Sequence, residues 1–268
     1  MTRLRLACLA AVMTLFSAGS ALAQTAAAPP AASAKPAAPR LEPKAIEILK
    51  AASDTLRQAK TVSFTAIATY EKSAANGQPL YYSSVQDVTL QRPDKLRVIT
   101  RGDGTPDEFY FDGKTMMAYV PSKELVAVAE APATLDELVD HAFEKAAIYF
   151  PFSDVLSSDP YAELSKMMKS AFYVGRSIAV GGVTTDMVAV AGPDVAAEIW
   201  IGVDDHLPRL VRAVYANEPA KARYQTEYSQ WKLGQAVEPG LFASQKAASA
   251  RRIEFAPPGG GPPPKPAK

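Results

Sequence analysis

Two periods of hydrophobicity alternate along the chain. Over residues 41–60 apolar side chains recur at three- and four-residue steps (Ala45, Ile48, Leu49, Ala52, Leu56, Ala59), which predicts one amphipathic helix. Pro43 falls in its first turn, where a missing N–H costs nothing. Lys44, Glu47, Lys50, Asp54 and Arg57 lie mostly on the other side. Their mixed charge fits a helix packed on its own sheet better than one lying on a membrane. From residue 62 the period falls to two: Val62, Phe64, Ala66, Ala68 and Tyr70 alternate with Ser63, Thr65 and Thr69, as in a half-buried strand. Further strands are predicted at 81–90, 96–100, 109–111, 115–120 and 125–128. Between them stand Asn76-Gly77, Arg92-Pro93-Asp94, the 102–106 turn, Asp112-Gly113 and Pro121-Ser122-Lys123. Asp112-Gly113 suits a type I′ hairpin turn, because Gly takes positive φ cheaply and Asp tolerates it.

At residue 134 the longer period returns. Thr134-Leu135-Asp136-Glu137 reads as a capping box, followed by a stripe of Leu135, Leu138, Val139, Ala142 and Ala146. An apolar segment, Ile148-Tyr149-Phe150-Pro151-Phe152, precedes a second start signal at Ser158-Asp159-Pro160, with Asp as cap and Pro at the first helical position. Leu164, Met167, Met168 and Ala171 line that helix. Strands then resume at 172–180, 183–191, 196–203, 210–216 and 223–233. The fold expected is α+β: a mainly antiparallel sheet of about eleven strands, curved into a half-barrel. The N-terminal helix and the central helical insert cover its concave face.

Composition sets the compartment. Arg3 and Arg5, the apolar run 6–16 and Ser20-Ala21-Leu22-Ala23 before Gln24 read as a cleaved signal peptide over residues 1–23. Residues 24–40 are rich in Ala and Pro and 257–268 in Gly and Pro; both are expected to be disordered. That leaves 41–256 as one domain. The single cysteine, Cys8, lies inside the signal, so no disulfide, Cys-ligated metal or thiol chemistry is expected in the exported protein. Without Arg3 and Arg5 the 29 basic residues become 27, against 28 acidic ones. This near neutrality indicates no nucleic-acid partner.

Arg92-Pro93-Asp94-Lys95-Leu96-Arg97 resembles the turn-and-strand of LolA-type periplasmic proteins. Asp112-Gly113-Lys114-Thr115, with Tyr119 and Pro121 following, and Ile199-Trp200-Ile201 ahead of Leu207-Pro208-Arg209, are similar to two further segments of that superfamily. More narrowly, the chain resembles a family of predicted periplasmic proteins with this lipoprotein-carrier fold. The resemblance implies an open half-barrel with a helical lid and an apolar cavity between them, which in the carriers holds the acyl chains of lipoproteins. Met116-Met117 stand where the carriers commonly have a bulky aromatic, and Arg97 and Arg101 are the candidates for the carriers' rim arginine.

No nucleophile motif, phosphate loop or dinucleotide fingerprint is present. His141 falls on the polar side of a helix, and Asp204-Asp205-His206 reads as a turn rather than a closed metal site. No cofactor, metal or catalytic residue is therefore expected. The aromatic and methionine excess remains. Phe64, Phe109, Phe111, Tyr119, Phe143, Tyr149, Phe150, Met167, Met168 and Trp200 either fill the core or line a ligand pocket. The expected protein is a monomeric, non-enzymatic periplasmic binder of a hydrophobic ligand, a lipid or a lipoprotein acyl chain. The alternatives are an envelope protein-interaction or stress-sensing module with a filled core, and a hydrolase built on the two histidines.

Overall fold

The computed structural model describes residues 41–216 and 222–257. The expected signal peptide, the linker and all but residue 257 of the C-terminal tail lie outside the described residues. Helix α1 (Pro43–Gln58) opens the fold. Six strands follow: β1 (Thr61–Ser73), β2 (Pro79–Gln91), β3 (Lys95–Gly102), β4 (Asp107–Phe111), β5 (Thr115–Val120) and β6 (Leu125–Glu130). Next come α2 (Leu135–Ala146), α3 (Ser153–Leu156) and α4 (Pro160–Met167), then β7 (Ser170–Ser177), β8 (Thr185–Ala191), β9 (Val195–Gly202), β10 (Pro208–Tyr215) and β11 (Arg223–Leu233). A short α5 (Gln245–Ser249) and β12 (Arg251–Ile253) complete it.

The strands form one open, curved α+β sheet in the order β12-β6-β5-β4-β3-β2-β1-β11-β10-β9-β8-β7. Two meanders, β1–β6 and β7–β11, are joined where β1 pairs β11. The order dictates the place of the insert. The chain leaves β6 near one end of the sheet and re-enters as β7 at the other, so residues 131–169 have to cross the whole face. There they bury it. Leu135, Leu138, Ala142, Phe150, Phe152, Val155 and Leu156 pack with Phe64, Val88, Leu90, Leu96, Val98, Phe109, Phe111 and Met116. Helix α1 covers the other half, with Ala45, Leu49 and Ala52 against Ala171, Val188, Val190 and Ile201.

The insert is capped and clamped. The Thr134 side chain accepts from the Glu137 N–H (3.3 Å), and Glu137 Oε2 accepts from the Ala133 N–H (3.0 Å). The reciprocal bond of the predicted box thus falls one residue early. Asp159 accepts from the Ala162 N–H (3.0 Å) and from Ser53 Oγ on α1 (3.2 Å); the Ala162 bond above all holds its carboxyl below the usual range. The β2–β3 turn grips the insert at two points. The Pro93 carbonyl accepts from the Leu135 N–H (2.8 Å), while Arg92 Nη1 and Nη2 donate to the carbonyls of Leu156 (2.9 Å) and Val155 (3.1 Å). These are end carbonyls of α3, which have no partner within the helix.

Three details differ from the sequence expectation. There are twelve strands rather than eleven, because β12 adds to β6 in parallel. In the β4–β5 turn the Asp112 N–H bonds the Thr115 carbonyl (3.3 Å) and only Gly113 has positive φ (+90°). Gly113-Lys114 is therefore the central pair, with positive φ at its first position as in type II′ rather than I′. Asp112 instead accepts from the Lys114 and Thr115 N–H groups (2.9 and 2.8 Å). Finally, between the apolar segment 148–152, which forms no regular element, and the helix start at Asp159 lies a short α3 that the pattern does not predict.

Candidate ligand cavity

Cross-strand neighbours in an antiparallel sheet point to the same face, so register fixes what the insert looks down upon. One row runs Phe64–Val88–Val98–Phe109–Ala118 across β1 to β5. It is apolar throughout. Two residues along each strand the next row on that face runs Tyr228–Ala66–Gln86–Thr100–Asp107, and it turns polar from β2 onward. Beyond it, Thr226, Ala68 and Ser84 form a third row. The face grades from hydrocarbon to hydrogen-bonding groups.

Where the insert stands off this face, a cavity of about 580 Å³ remains. Val98, Phe109 and Ala118 of the apolar row and Gln86, Thr100 and Asp107 of the polar row form its sheet side. Residues 148–152 and Asp154 form the opposite wall, and Val211, Ala213, Tyr215 and Tyr224 close a flank. The deep end is closed by packed rings. Phe109 meets Phe150 edge-on at 5.1 Å, Phe150 lies 5.9 Å from Phe152, and Phe152 meets Phe64 edge-on at 5.5 Å. Thr226 Oγ1 donates to the Pro151 carbonyl (3.1 Å), tying that wall to β11.

The polar groups are uneven in their partners. Gln86 is buried; its Nε2 donates to Ser84 Oγ (2.6 Å) and its Oε1 has no hydrogen-bond partner. Burial, partly offset by a bond to Thr100, pushes the Asp107 carboxyl up. Tyr110 Oη donates to Glu108 (2.6 Å). Asp154 has neither a hydrogen bond nor an ion pair among the described residues, and burial pushes its carboxyl up. The residue is nonetheless exposed, not sealed from water, and it lines the cavity. The same holds for Tyr149, 61 % exposed, whose hydroxyl bonds Tyr215. Burial, and then the nearby Asp154 charge, raise the Tyr228 phenol.

Of the ten residues singled out in the sequence, Phe109, Tyr119, Tyr149 and Phe150 line this cavity. Tyr119 stands at its rim and also packs with Val126 and Ala247, under α5. Phe64 and Phe111 lie within the filled core. Phe143 is half-buried on α2 and lines nothing. Met167 is exposed, and Met168 packs in the α1 cluster. Trp200 is buried on β9 with the Arg212 guanidinium 5.2 Å above its ring. The pattern does not single out Gln86 or Asp154: one lies in a polar stretch of a predicted strand, the other just after the apolar segment 148–152 and ahead of the predicted helix start. The only signal was a carboxyl inside the apolar run 148–156. Neither Arg97 nor Arg101 lines the cavity; Arg101 pairs with Asp87 (2.6 Å) instead.

Among the described residues no group of three or more His, Cys, Asp or Glu side chains is arranged to hold a metal, and none of their helices is long and apolar enough to cross a membrane. Asp205 is engaged by the Leu207 N–H and by Arg209, and His206 sits at positive φ in the same turn.

A family model described as "Predicted periplasmic protein (DUF2092)" matches residues 45–256. No curated protein matches the chain. Solved structures similar to it include the following three. The MucA/MucB complex of Pseudomonas aeruginosa matches at 20 % identity and a TM-score of 0.43, over 76 % of this chain and 62 % of that one. Lipoprotein LppX of Mycobacterium tuberculosis matches at 12 % and 0.46, over 74 % and 98 %. A LolA superfamily protein of Nitrosomonas europaea matches at 11 % and 0.34, over 75 % and 97 %. The chain thus spans less than two thirds of the matched chain in the first of these.

Proposed function

The chain belongs to the family of predicted periplasmic proteins whose model it matches over residues 45–256, and on that premise we propose that it is a non-enzymatic binder or carrier of a hydrophobic ligand, a lipid or the acyl chain of a lipoprotein. The observation that carries this reading is the cavity of about 580 Å³ between sheet and insert. Its size is that of a small-molecule site, typically about 300–1,000 Å³, and it combines an apolar, aromatic end with a polar one. Export through a signal peptide at residues 1–23 and a single folded domain at 41–256 complete the proposal, with the exported protein acting as a monomer. The test is solvent extraction of protein purified from the periplasm, followed by mass spectrometry. An acylated compound near one per chain is expected; protein that carries none, and takes none up on incubation with envelope lipid, overturns the reading.

A second reading has one observation in its favour. Strand β7 ends the sheet, and Phe172, Val174 and Ile178 are exposed on it or just beyond. An apolar terminal strand offers an edge and a face to an envelope protein. On this reading, replacing Phe172 and Ile178 by Lys abolishes capture of that partner and leaves the lipid content unchanged.

A further inference from the structure

The cavity has a chemical polarity that the lipid reading leaves open. Two carboxyl side chains face it, Asp107 from the sheet and Asp154 from the insert, against one cation, Lys72; Glu108, one residue along β4 from Phe109, turns to the other face with Tyr110. Lys72 lies 5.8 Å from the Tyr70 ring and takes part in no ion pair among the described residues. Asp107 is occupied by Thr100. Asp154 is not. Gln86 adds a second vacant acceptor, a buried amide oxygen without a donor. A buried polar atom left unpaired, such as the Gln86 amide oxygen, is costly, and the unpaired Asp154 carboxyl opens onto the cavity, where a ligand can meet it. Such atoms persist where something else completes them.

Position strengthens the point. Gln86 belongs to the polar row that continues through Ala66 to Tyr228, and Tyr228 is the neighbour whose phenol responds to the Asp154 charge. Two strand spacings separate β2 from β11, about 10 Å. Asp154 reaches toward this row from the insert and Gln86 rises from the sheet, with the apolar row of Phe109 on one side of both. A molecule with its hydrocarbon against Phe109 and Phe150 brings its polar end to these two acceptors. An anionic headgroup meets Asp154 and Asp107 there and is repelled. A protonated amine is attracted and supplies the missing donor.

We propose that the cavity selects amphiphiles whose polar end is a hydrogen-bond-donating cation, an amine that pairs with Asp154, with Gln86 accepting a further N–H or O–H of the same molecule. This rests on the reading of the cavity as a hydrophobic-ligand site. The test is displacement of Nile red from delipidated full-length exported protein by dodecylamine, dodecanol and dodecanoate, at neutral pH and below micellar concentrations. The amine should displace the dye at a concentration about tenfold or more below that of dodecanoate, a tenfold ratio being about 1.4 kcal/mol, with dodecanol between them. In Asp154→Asn the amine should fall to the level of the alcohol, in protein whose circular dichroism and melting match the folded state. Dodecanoate as effective as dodecylamine, or an Asp154→Asn variant that keeps the amine preference, overturns the proposal and leaves the hydrophobic cavity standing. Failure of the dye and all three competitors to bind overturns both.

Discussion

Removing the Arg92 guanidinium should loosen the cavity's helical wall before it affects the sheet. Arg92 donates to two successive carbonyls, Val155 and Leu156, at the end of α3. Hydrogen bonds from a charged donor are worth about 1.5–3 kcal/mol each, so the gross loss in Arg92→Ala is about 3–6 kcal/mol by that scale. Part is offset. Burial lowers the Arg92 pKa, a sign that the cation is poorly solvated, and its Nε is buried without an acceptor. Relief of one such group is worth about 1–3 kcal/mol, leaving a net cost of about 2.5 kcal/mol between the midpoints of the two ranges. For a domain of this size each kcal/mol moves the melting temperature by about 2–4 °C, so Tm should fall by about 5–10 °C. Arg92→Lys should recover only part, since one ammonium does not reproduce a planar fork aimed at two carbonyls. Hydrogen exchange locates the effect: amides of residues 153–157 should lose protection at denaturant concentrations where those of β1 and β2 keep theirs. A Tm within about 1 °C of wild type, full rescue by Lys, or uniform loss of protection would refute the clamp.

Asp154 makes a pH-dependent prediction. Its carboxyl is raised on folding, so the folded state holds the proton more tightly and the residue's penalty is absent below the ordinary carboxylate pKa of about 3.9. The penalty builds as pH rises above that value and is complete once pH has passed the raised folded value. Asp154→Asn should therefore shift the urea midpoint upward at neutral pH and leave it unchanged in acid; an equal gain at both would show that titration is not the cause. Ala118 faces the cavity opposite Phe109 across β4–β5, so Ala118→Trp should place its indole in empty space. The variant should lose Nile red uptake while melting within a few degrees of wild type; loss of both would mean that Ala118 belongs to the packed core instead.

Much of the fold was legible because it is locally encoded. The alternation around Phe64, the Asp159-Pro160 start and the Thr134 cap each act within a few residues, and each lies where the pattern puts it. Strand β12 carries no such signal: Arg251–Ile253 is three exposed residues held by parallel pairing with β6. The cavity was legible in composition and not in position. Phe111 and Phe109 are two residues apart on one strand and share a face, yet one is sealed in the core and the other meets open space. That difference depends on where the insert crosses, which strand order determines and no local period records. Asp154 is hidden for the same reason: only the crossing places it above Tyr228 and the cavity.

The central claim is that the space between sheet and insert holds a hydrophobic ligand. Native mass spectrometry of the protein released gently from the periplasm, beside its Ala118→Trp variant, tests it most directly. One lipid-sized adduct per chain in the wild type, absent from the variant, is the result predicted here. A wild-type protein that flies without any adduct, or an adduct that survives the tryptophan, would contradict it.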